Sequence, residues 1–157
     1  MGTITVLNGP NLNLLGTREP GLYGTATLAD VEELCHRTAA GLGHRVEFHQ
    51  TNHEGVLVDQ VQAARGSAGV VVNAAGLTHT SVALRDALAT VPGPVVEVHL
   101  TNVHAREPFR HTSYVSGVAD AVIAGCGPDG YAYAVRHVAA LCSSLCSERQ
   151  LHDLARA

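Results

Sequence analysis

Hydrophobic and polar positions divide the chain into short apolar runs and longer stretches with helical spacing. The run Val70–Val72 is typical of a strand buried on both faces, whereas the longer stretches place their apolar residues about one helical turn apart. Repeated alternation of the two patterns favours an α/β fold, with a five-stranded parallel sheet covered by helices on both faces. The pattern predicts strands at 3–7, 45–50, 70–72, 94–100 and 119–124, and helices at 27–43, 54–65, 81–90 and from 129 to beyond 146.

The length of the chain is that of one domain. Its 157 residues are enough for a substantial core, and we interpret residues 1–157 as one domain with a helical tail at about 147–157. Thr27, followed three residues later by Asp30, resembles a capping box at the start of the first helix. The element lengths suit a flavodoxin-like strand order, but periodicity does not determine that order.

The composition excludes several classes of function. A net charge of −4, no basic run and an aromatic content of 4% argue against a nucleic-acid surface. The chain has no apolar stretch long enough to cross a bilayer and no N-terminal signal pattern, so we expect a cytoplasmic protein that does not bind membranes. Its four cysteines lack the spacing of a metal site and are expected to be buried or half-buried thiols.

The basic residues narrow the possible chemistry. All ten are arginine, and the sequence contains no lysine. This excludes an imine formed on lysine, a phosphate-binding loop lysine and a lysine general base. Catalysis would therefore depend on His, Tyr, Arg, carboxylates, amides or hydroxyls.

Polar clusters follow three of the predicted strands. Because ligands of open parallel sheets bind beyond the carboxyl ends of the strands, these clusters are expected to converge on one crevice. Each cluster also has a simpler interpretation as turn chemistry, a flexible glycine-rich loop or a helix cap, with Thr80 or Ser81 as the cap. The clusters comprise residues 8–13 with 17–24, residues 73–81, and residues 97–110.

Glu97 and His99 are the most informative pair. Glu97 interrupts an apolar strand, where a carboxylate is costly unless it is paired or hydrogen-bonded, and the two-residue period of a strand places His99 on the same face. A carboxylate beside an imidazole can orient the ring and hold its proton. A metal site formed by His99, His104 and His111 is the alternative, but Arg106 and Arg110 in the same segment oppose a cation and suit an anionic small molecule.

Three motifs resemble those of the type II 3-dehydroquinate dehydratases. They run from Asn8 to Pro20 and on to Tyr23-Gly24, from Asn73 to Ser81, and from Glu97 to Arg110, in the order and spacing of that family over essentially the whole chain. The sequence departs from the family pattern at Thr101, where many members have Ser, and at Pro108, where an acidic residue is common.

The resemblance implies a flavodoxin-like lyase that converts 3-dehydroquinate to 3-dehydroshikimate without a cofactor or metal. The route passes through an enolate and not an imine, in the shikimate pathway of aromatic amino acid biosynthesis or in quinate catabolism. It also implies a homododecamer built as a tetramer of trimers. The implied catalytic residues are Tyr23 as base, His99 as acid, Arg18, Asn11, Glu97 and Arg106. The implied substrate-binding residues are Asn73, His79, Asp86, Leu100, Thr101 and Arg110, with a lid at about 18–24.

Two other interpretations remain open from the sequence. A non-catalytic flavodoxin-like module that binds phosphate or a nucleotide would explain the glycine-rich loops, but not the Glu97–His99 pair. A structural relative that has lost catalysis would keep the assembly without the chemistry. Formation of a conjugated enone from 3-dehydroquinate would distinguish both from an active enzyme.

Overall fold

Five parallel strands form one sheet in the order β2-β1-β3-β4-β5. A computed structural model of the chain describes residues 2–17 and 25–154, and within these it describes residues 146–154 by their backbone alone. This strand order is that of flavodoxin-like folds, so the predicted fold class is confirmed. The strands are β1 (Thr3–Asn8), β2 (Arg45–Gln50), β3 (Gly69–Asn73), β4 (Val95–His99) and β5 (Ala121–Ala124), and the helices are α1 (Leu28–Ala40), α2 (Glu54–Ala63), α3 (Val82–Leu88) and α4 (Asp129–Leu154).

The start of α1 contains the capping box expected from the sequence. The Asp30 N–H donates to the Thr27 hydroxyl oxygen, and the Thr27 N–H donates to the Asp30 carboxylate over 2.8 Å. Hydrogen bonds from the Thr27 backbone and side chain lower the pKa of Asp30. The helix ends at Ala40, before the predicted boundary, because Gly43 takes a positive φ of 74° that turns the chain toward β2.

Two apolar layers cover the faces of the sheet. On one face Val6, Val71 and Val98 pack with residues of α1 and α4, such as Val31 and Val135. The alternate strand positions face α2 and α3 and form the second layer. The parallel pairing of β1 with β3 brings their polar last residues, Asn8 and Asn73, side by side.

Several predicted boundaries shift by a few residues. The third helix is shorter than 81–90 and begins after Ser81, whose hydroxyl accepts from the Leu84 N–H over 2.9 Å, so Ser81 is the cap. The last strand begins at Ala121 and not at Ala119, and β2 lies at the edge of the sheet. The expectation that the cysteines are buried or half-buried holds for Cys35 and Cys142 and is wrong for Cys126, which is exposed.

Gly9 permits the close approach of the loops that follow β1 and β3. Its N–H donates to the Asn73 carbonyl oxygen over 2.8 Å. A Cβ at this position would lie 2.4 Å from the carbonyl oxygen of Ala74, which no side chain allows. Glycine is therefore required where the two loops meet at the carboxyl edge of the sheet. In the part of the chain that the structure describes, no helix is long and apolar enough to cross a membrane.

Candidate active site

A cavity opens at the carboxyl edge of the sheet, where β1, β3 and β4 end. These strands are neighbours in the sheet, so the loops that follow them meet around one space. The first polar cluster contributes one wall, the segment after β3 the second, and the end of β4 with its following loop the third. The lining residues are Pro10, Asn11, Leu12, Leu15, Asn73, Ala75, Gly76, His79, His99, Leu100, Thr101, Val103, Arg106 and Arg110.

Most residues predicted for the site share this cavity. Glu97 lies directly behind His99 and is completely buried. Asp86 does not line the cavity: it lies on α3, is exposed and forms an ion pair with Arg85 at 2.9 Å. Arg18 and Tyr23 lie outside the described residues. The predicted residues on the wall are Asn11, Asn73, His79, His99, Leu100, Thr101, Arg106 and Arg110.

Hydroxyl groups surround the buried carboxylate of Glu97. The hydroxyls of Thr78 and Ser113 donate to Oε1, the latter over 2.8 Å, and the hydroxyl of Ser116 donates to Oε2. His99 Nε2 lies 2.8 Å from Oε1. Both carboxylate oxygens are therefore satisfied by donors, which is what burial of an ionised carboxylate requires.

This arrangement holds Glu97 in its charged form. Burial by itself would raise the pKa of Glu97, but hydrogen bonds from His99, Ser116 and Thr78 outweigh it and lower the pKa to about 2. A carboxylate can only accept, so His99 donates from Nε2 and keeps Nδ1 for a ligand in the cavity. The hydrogen bond to Glu97 also fixes the orientation of the imidazole ring.

Two arginines place positive charge on the cavity wall. Arg110 Nε donates to Glu107 over 2.8 Å, and Arg106 Nε lies 3.5 Å from the same carboxylate, which is half exposed at the rim. Both guanidinium groups are thereby held beside the cavity, because one carboxylate contacts both. Planar guanidinium groups suit a carboxylate or hydroxyl ligand.

His79 is oriented by the loop that follows β4. Its Nδ1 donates to the Thr112 carbonyl oxygen over 2.7 Å, since a carbonyl can only accept. The Phe109 ring contacts the His79 ring edge to face, with centroids 6.2 Å apart. These contacts leave Nε2 as the ring nitrogen for a ligand.

Asn11 has an unusual backbone conformation. Its φ is 68°, and its N–H donates to the Asn52 side-chain oxygen over 2.9 Å. The Gln50 amide donates to the same Asn52 oxygen over 3.1 Å and to the Gly9 carbonyl over 3.3 Å. An amide clamp from the end of β2, formed by Gln50 and Asn52, thus holds the wall that carries Asn11.

The histidines weighed as metal ligands are not arranged around a common point. His99 is engaged with Glu97, and the rings of His104 and His111 are 5.8 Å apart with His111 Nε2 donating to the Arg106 carbonyl. Within residues 2–17 and 25–154, no group of three or more potential ligands is placed to hold a metal ion.

The sequence and fold match one family over most of the chain. Residues 2–139 match the family model for class II dehydroquinases. The chain belongs to the class II dehydroquinase family. The expected enzyme class, a type II dehydroquinase, is thereby confirmed, and the alternative of a nucleotide-binding module loses its support.

Individual relatives agree with this assignment. A 3-dehydroquinate dehydratase of Azorhizobium caulinodans is 65% identical over 87% of this chain and 93% of its own length. The catabolic 3-dehydroquinase 2 of Aspergillus flavus is 62% identical over 87% of this chain and 92% of its own length. The crystal structure of a type II dehydroquinase from Propionibacterium acnes superimposes with a TM-score of 0.84 at 41% identity, covering 88% of this chain and 96% of that chain.

Several residues of the dehydroquinase site were missed by the sequence analysis. Ser113 and Ser116 lie 16 and 19 positions from Glu97, so no spacing rule connects them. The useful signal was Glu97 itself, because a buried carboxylate needs more donors than the neighbouring His99 supplies, and hydroxyls from other segments provide the rest. Tyr131, a buried residue on α4 that contacts Asn73, had no signal either.

Proposed function

We propose that this dehydroquinase converts 3-dehydroquinate to 3-dehydroshikimate by elimination through an enolate, with Tyr23 as base and His99 as acid. A proton leaves the carbon beside the ketone, and the C–O bond to the departing hydroxyl then breaks. The hydroxyl takes a proton and leaves as water. Family membership supports the overall reaction, in the shikimate pathway or in quinate breakdown, and the Glu97–His99 arrangement is the observation that carries the mechanism.

His99 is suited to protonate the leaving hydroxyl. The acid must hold a proton on an atom that faces the substrate. Nε2 of His99 is engaged with Glu97, so this proton would be the one that Nδ1 carries when the ring is doubly protonated. Glu97, kept anionic by its hydroxyl donors, accepts from Nε2 and fixes the orientation of the ring. General acid catalysis of this kind contributes about 10²-fold to 10⁴-fold in rate.

Tyr23 is proposed as the base from the first motif. An unperturbed phenol has a pKa of about 10, so it needs neighbouring positive charge to act as a phenolate at neutral pH. Arg18 and Arg106 would supply that charge without the risk of losing their own protons. Gly16 and Thr25 lie on either side of residues 18–24 in the sequence, and they are close in space. A Cβ added to Gly16 would lie 3.1 Å from the Thr25 carbonyl oxygen.

The described residue before this segment lies beside the cavity wall. Gly16 follows Leu15, which lines the cavity.

The remaining polar groups of the cavity fit a hydroxylated carboxylate. Asn11 would direct its amide, or a water it holds, toward the negative charge that develops on the enolate oxygen. The backbone at Leu100 and Thr101 would bind the substrate carboxylate, while Asn73, His79 and Arg110 would bind its hydroxyls. A contact from Asp86 remains a prediction, because one chain does not bring it to the cavity.

Replacement of the proposed base is the direct test. Tyr23→Phe should fold normally and lose activity by about 10²-fold to 10⁴-fold, measured as the growth of enone absorbance from 3-dehydroquinate. Tyr133→Phe is the matched control, because Tyr133 is a half-exposed phenol on α4 away from the cavity. Near-normal turnover of Tyr23→Phe would show that another group removes the proton.

The absence of an imine is tested separately. Treatment of the enzyme with borohydride in the presence of substrate should leave activity and protein mass unchanged, because the sequence contains no lysine. A class I dehydroquinase, which forms a lysine imine, serves as the positive control. A covalent adduct on this chain would contradict the proposed enolate route without an imine.

We further propose that the chain acts as one domain and assembles as a homododecamer, a tetramer of trimers. Both follow from resemblance to the family, and a cytoplasmic location also stays a prediction. Sedimentation or light scattering of the purified protein would give its mass, for which a value near twelve times 16.4 kDa is expected.

A further inference from the structure

A chain of hydrogen bonds lies buried beneath the cavity and joins the ends of β1 and β3 to the first turn of α4. Its centre is Tyr131, a completely buried phenol. The Tyr131 hydroxyl donates to Asn8 Oδ1 over 2.7 Å and accepts from Asn73 Nδ2 over 2.8 Å. Since Asn73 lines the cavity, this residue alone connects the phenol to a ligand that binds there.

The direction of every bond in this chain is determined by its two ends. At one end, Asn8 Nδ2 donates to the His49 carbonyl over 2.9 Å; at the other, the Ala75 N–H donates to Asn73 Oδ1 over 3.2 Å. A carbonyl can only accept and an N–H can only donate, so both amides have one permitted orientation. Between them the hydroxyl of Tyr131 must donate toward Asn8 and accept from Asn73.

This polarity determines what Asn73 offers to a ligand. Nδ2 carries two N–H bonds, of which one is used by Tyr131, so the second remains for an acceptor. If the amide turned over, its nitrogen would face the Ala75 N–H, and two donors would oppose each other. The same bond holds Ala75, whose φ is 51°, at the start of the segment that carries His79 and Thr78.

We propose that Tyr131 is a positioning residue for substrate recognition, because its hydroxyl orients the Asn73 amide so that an N–H faces a substrate oxygen. The proposal rests on the assignment of Asn73 to substrate binding made above. Tyr131 itself does not line the cavity, so it acts through Asn73 and not on the reacting atoms.

The chemistry of a buried phenol suits this role. Burial raises the pKa of Tyr131, so the hydroxyl keeps its proton at every pH at which the enzyme would work. A hydroxyl can donate and accept at the same time, which the chain requires at this point. Phenylalanine fills nearly the same volume but can do neither. The Asn73 amide would then be held by the Ala75 N–H alone, and its Nδ2 would lose the partner that fixes its position.

Tyr131→Phe is expected to raise KM by about tenfold with little change in kcat. This is the size of effect expected when a group that binds substrate loses one buried hydrogen-bond partner. Asn73→Ala should also raise KM. If Tyr131 acts through Asn73, Tyr131→Phe should have no further effect in the Asn73→Ala background, whereas independent effects would multiply.

A matched control separates positioning from loss of stability. Val138→Ala truncates a buried side chain of the same helix that packs at Gly69, at the opposite end of β3 from Asn73. It should lower Tm while leaving KM unchanged. Asn8→Ala gives a second way to break the chain of bonds if Tyr131→Phe does not fold, because it removes the acceptor of the phenol. It should raise KM like Tyr131→Phe.

The outcomes distinguish this inference from the proposed function. Multiplying effects of the Tyr131 and Asn73 substitutions, or an unchanged KM in both Tyr131→Phe and Asn8→Ala, would overturn the positioning role alone. A normal KM in Asn73→Ala would instead show that Asn73 does not bind substrate, and the inference would fail with that assignment. A KM increase in Val138→Ala equal to that of Tyr131→Phe would assign the effect to stability and also overturn it.

Discussion

Replacement of Glu97 by glutamine tests whether this buried carboxylate is charged in the folded enzyme. The substitution keeps the shape of the side chain and removes its charge. The hydroxyls of Thr78, Ser113 and Ser116 can rotate to accept from the new amide, so the fold should persist. His99 would lose its anionic partner, and turnover should fall by about 10²-fold or more.

The magnitude of the stability effect follows from the pKa difference. The pKa of Glu97 is about 2 in the folded protein against 4.5 for the free side chain. Each pKa unit corresponds to about 1.4 kcal/mol, so the charged form contributes about 3 kcal/mol to the free energy of unfolding. Because the folded pKa is depressed, this contribution is complete above pH 4.5 and is lost as the pH falls toward 2.

The assay is denaturant unfolding of the wild type and Glu97→Gln at several pH values and one protein concentration. The difference in free energy of unfolding between them should shrink by about 2 kcal/mol from pH 5 to pH 3. Glu47→Gln, at an exposed position of β2, controls for the loss of one negative charge. If the free energies of unfolding of the wild type and Glu97→Gln differ by the same amount at pH 5 and pH 3, Glu97 is not a charged, hydrogen-bonded carboxylate in the folded protein.

Two further substitutions test the walls of the cavity. Gly9→Ala should destabilise the protein by about 1–3 kcal/mol in thermal unfolding, because its Cβ would meet the Ala74 carbonyl. Gly55→Ala is the control, because no atom lies near its Cβ, and equal stabilities of the two variants would contradict the close approach at Gly9. Asn52→Ala should lower kcat/KM by up to about tenfold, because it releases the Asn11 N–H. Asn52→Asp keeps the oxygen acceptor and should retain most of the wild-type kcat/KM, so equal activities of the two variants would rule out the amide clamp.

The secondary structure was largely predictable because it depends on local patterns. The apolar run Val70–Val72 and the capping box at Thr27 each specify an element without reference to the rest of the chain. Boundaries were less certain, as at the third helix, which ends at Leu88 because residues beyond it form turns. Strand order could not be predicted, since parallel strands are joined by long crossovers that periodicity does not describe.

The site was predictable only where its residues share a segment. Glu97 and His99 are two positions apart on one strand, so their contact follows from the period of that strand. The hydroxyl of Ser116, by contrast, reaches Glu97 from another segment of the chain. Asp86 is the opposite case. The family resemblance implied it as a substrate-binding residue, but in the single chain it lies exposed on α3.

By itself, the sequence determined the type and order of the elements, the absence of lysine chemistry and the pairing of a carboxylate with an imidazole on one strand. The tertiary structure decided how distant polar groups meet: the hydroxyls that keep Glu97 charged, and the phenol of Tyr131 that orients Asn73 across 58 positions of the chain. The physical reason is that burial requires each polar group to find a partner, and packing decides which partner is within reach.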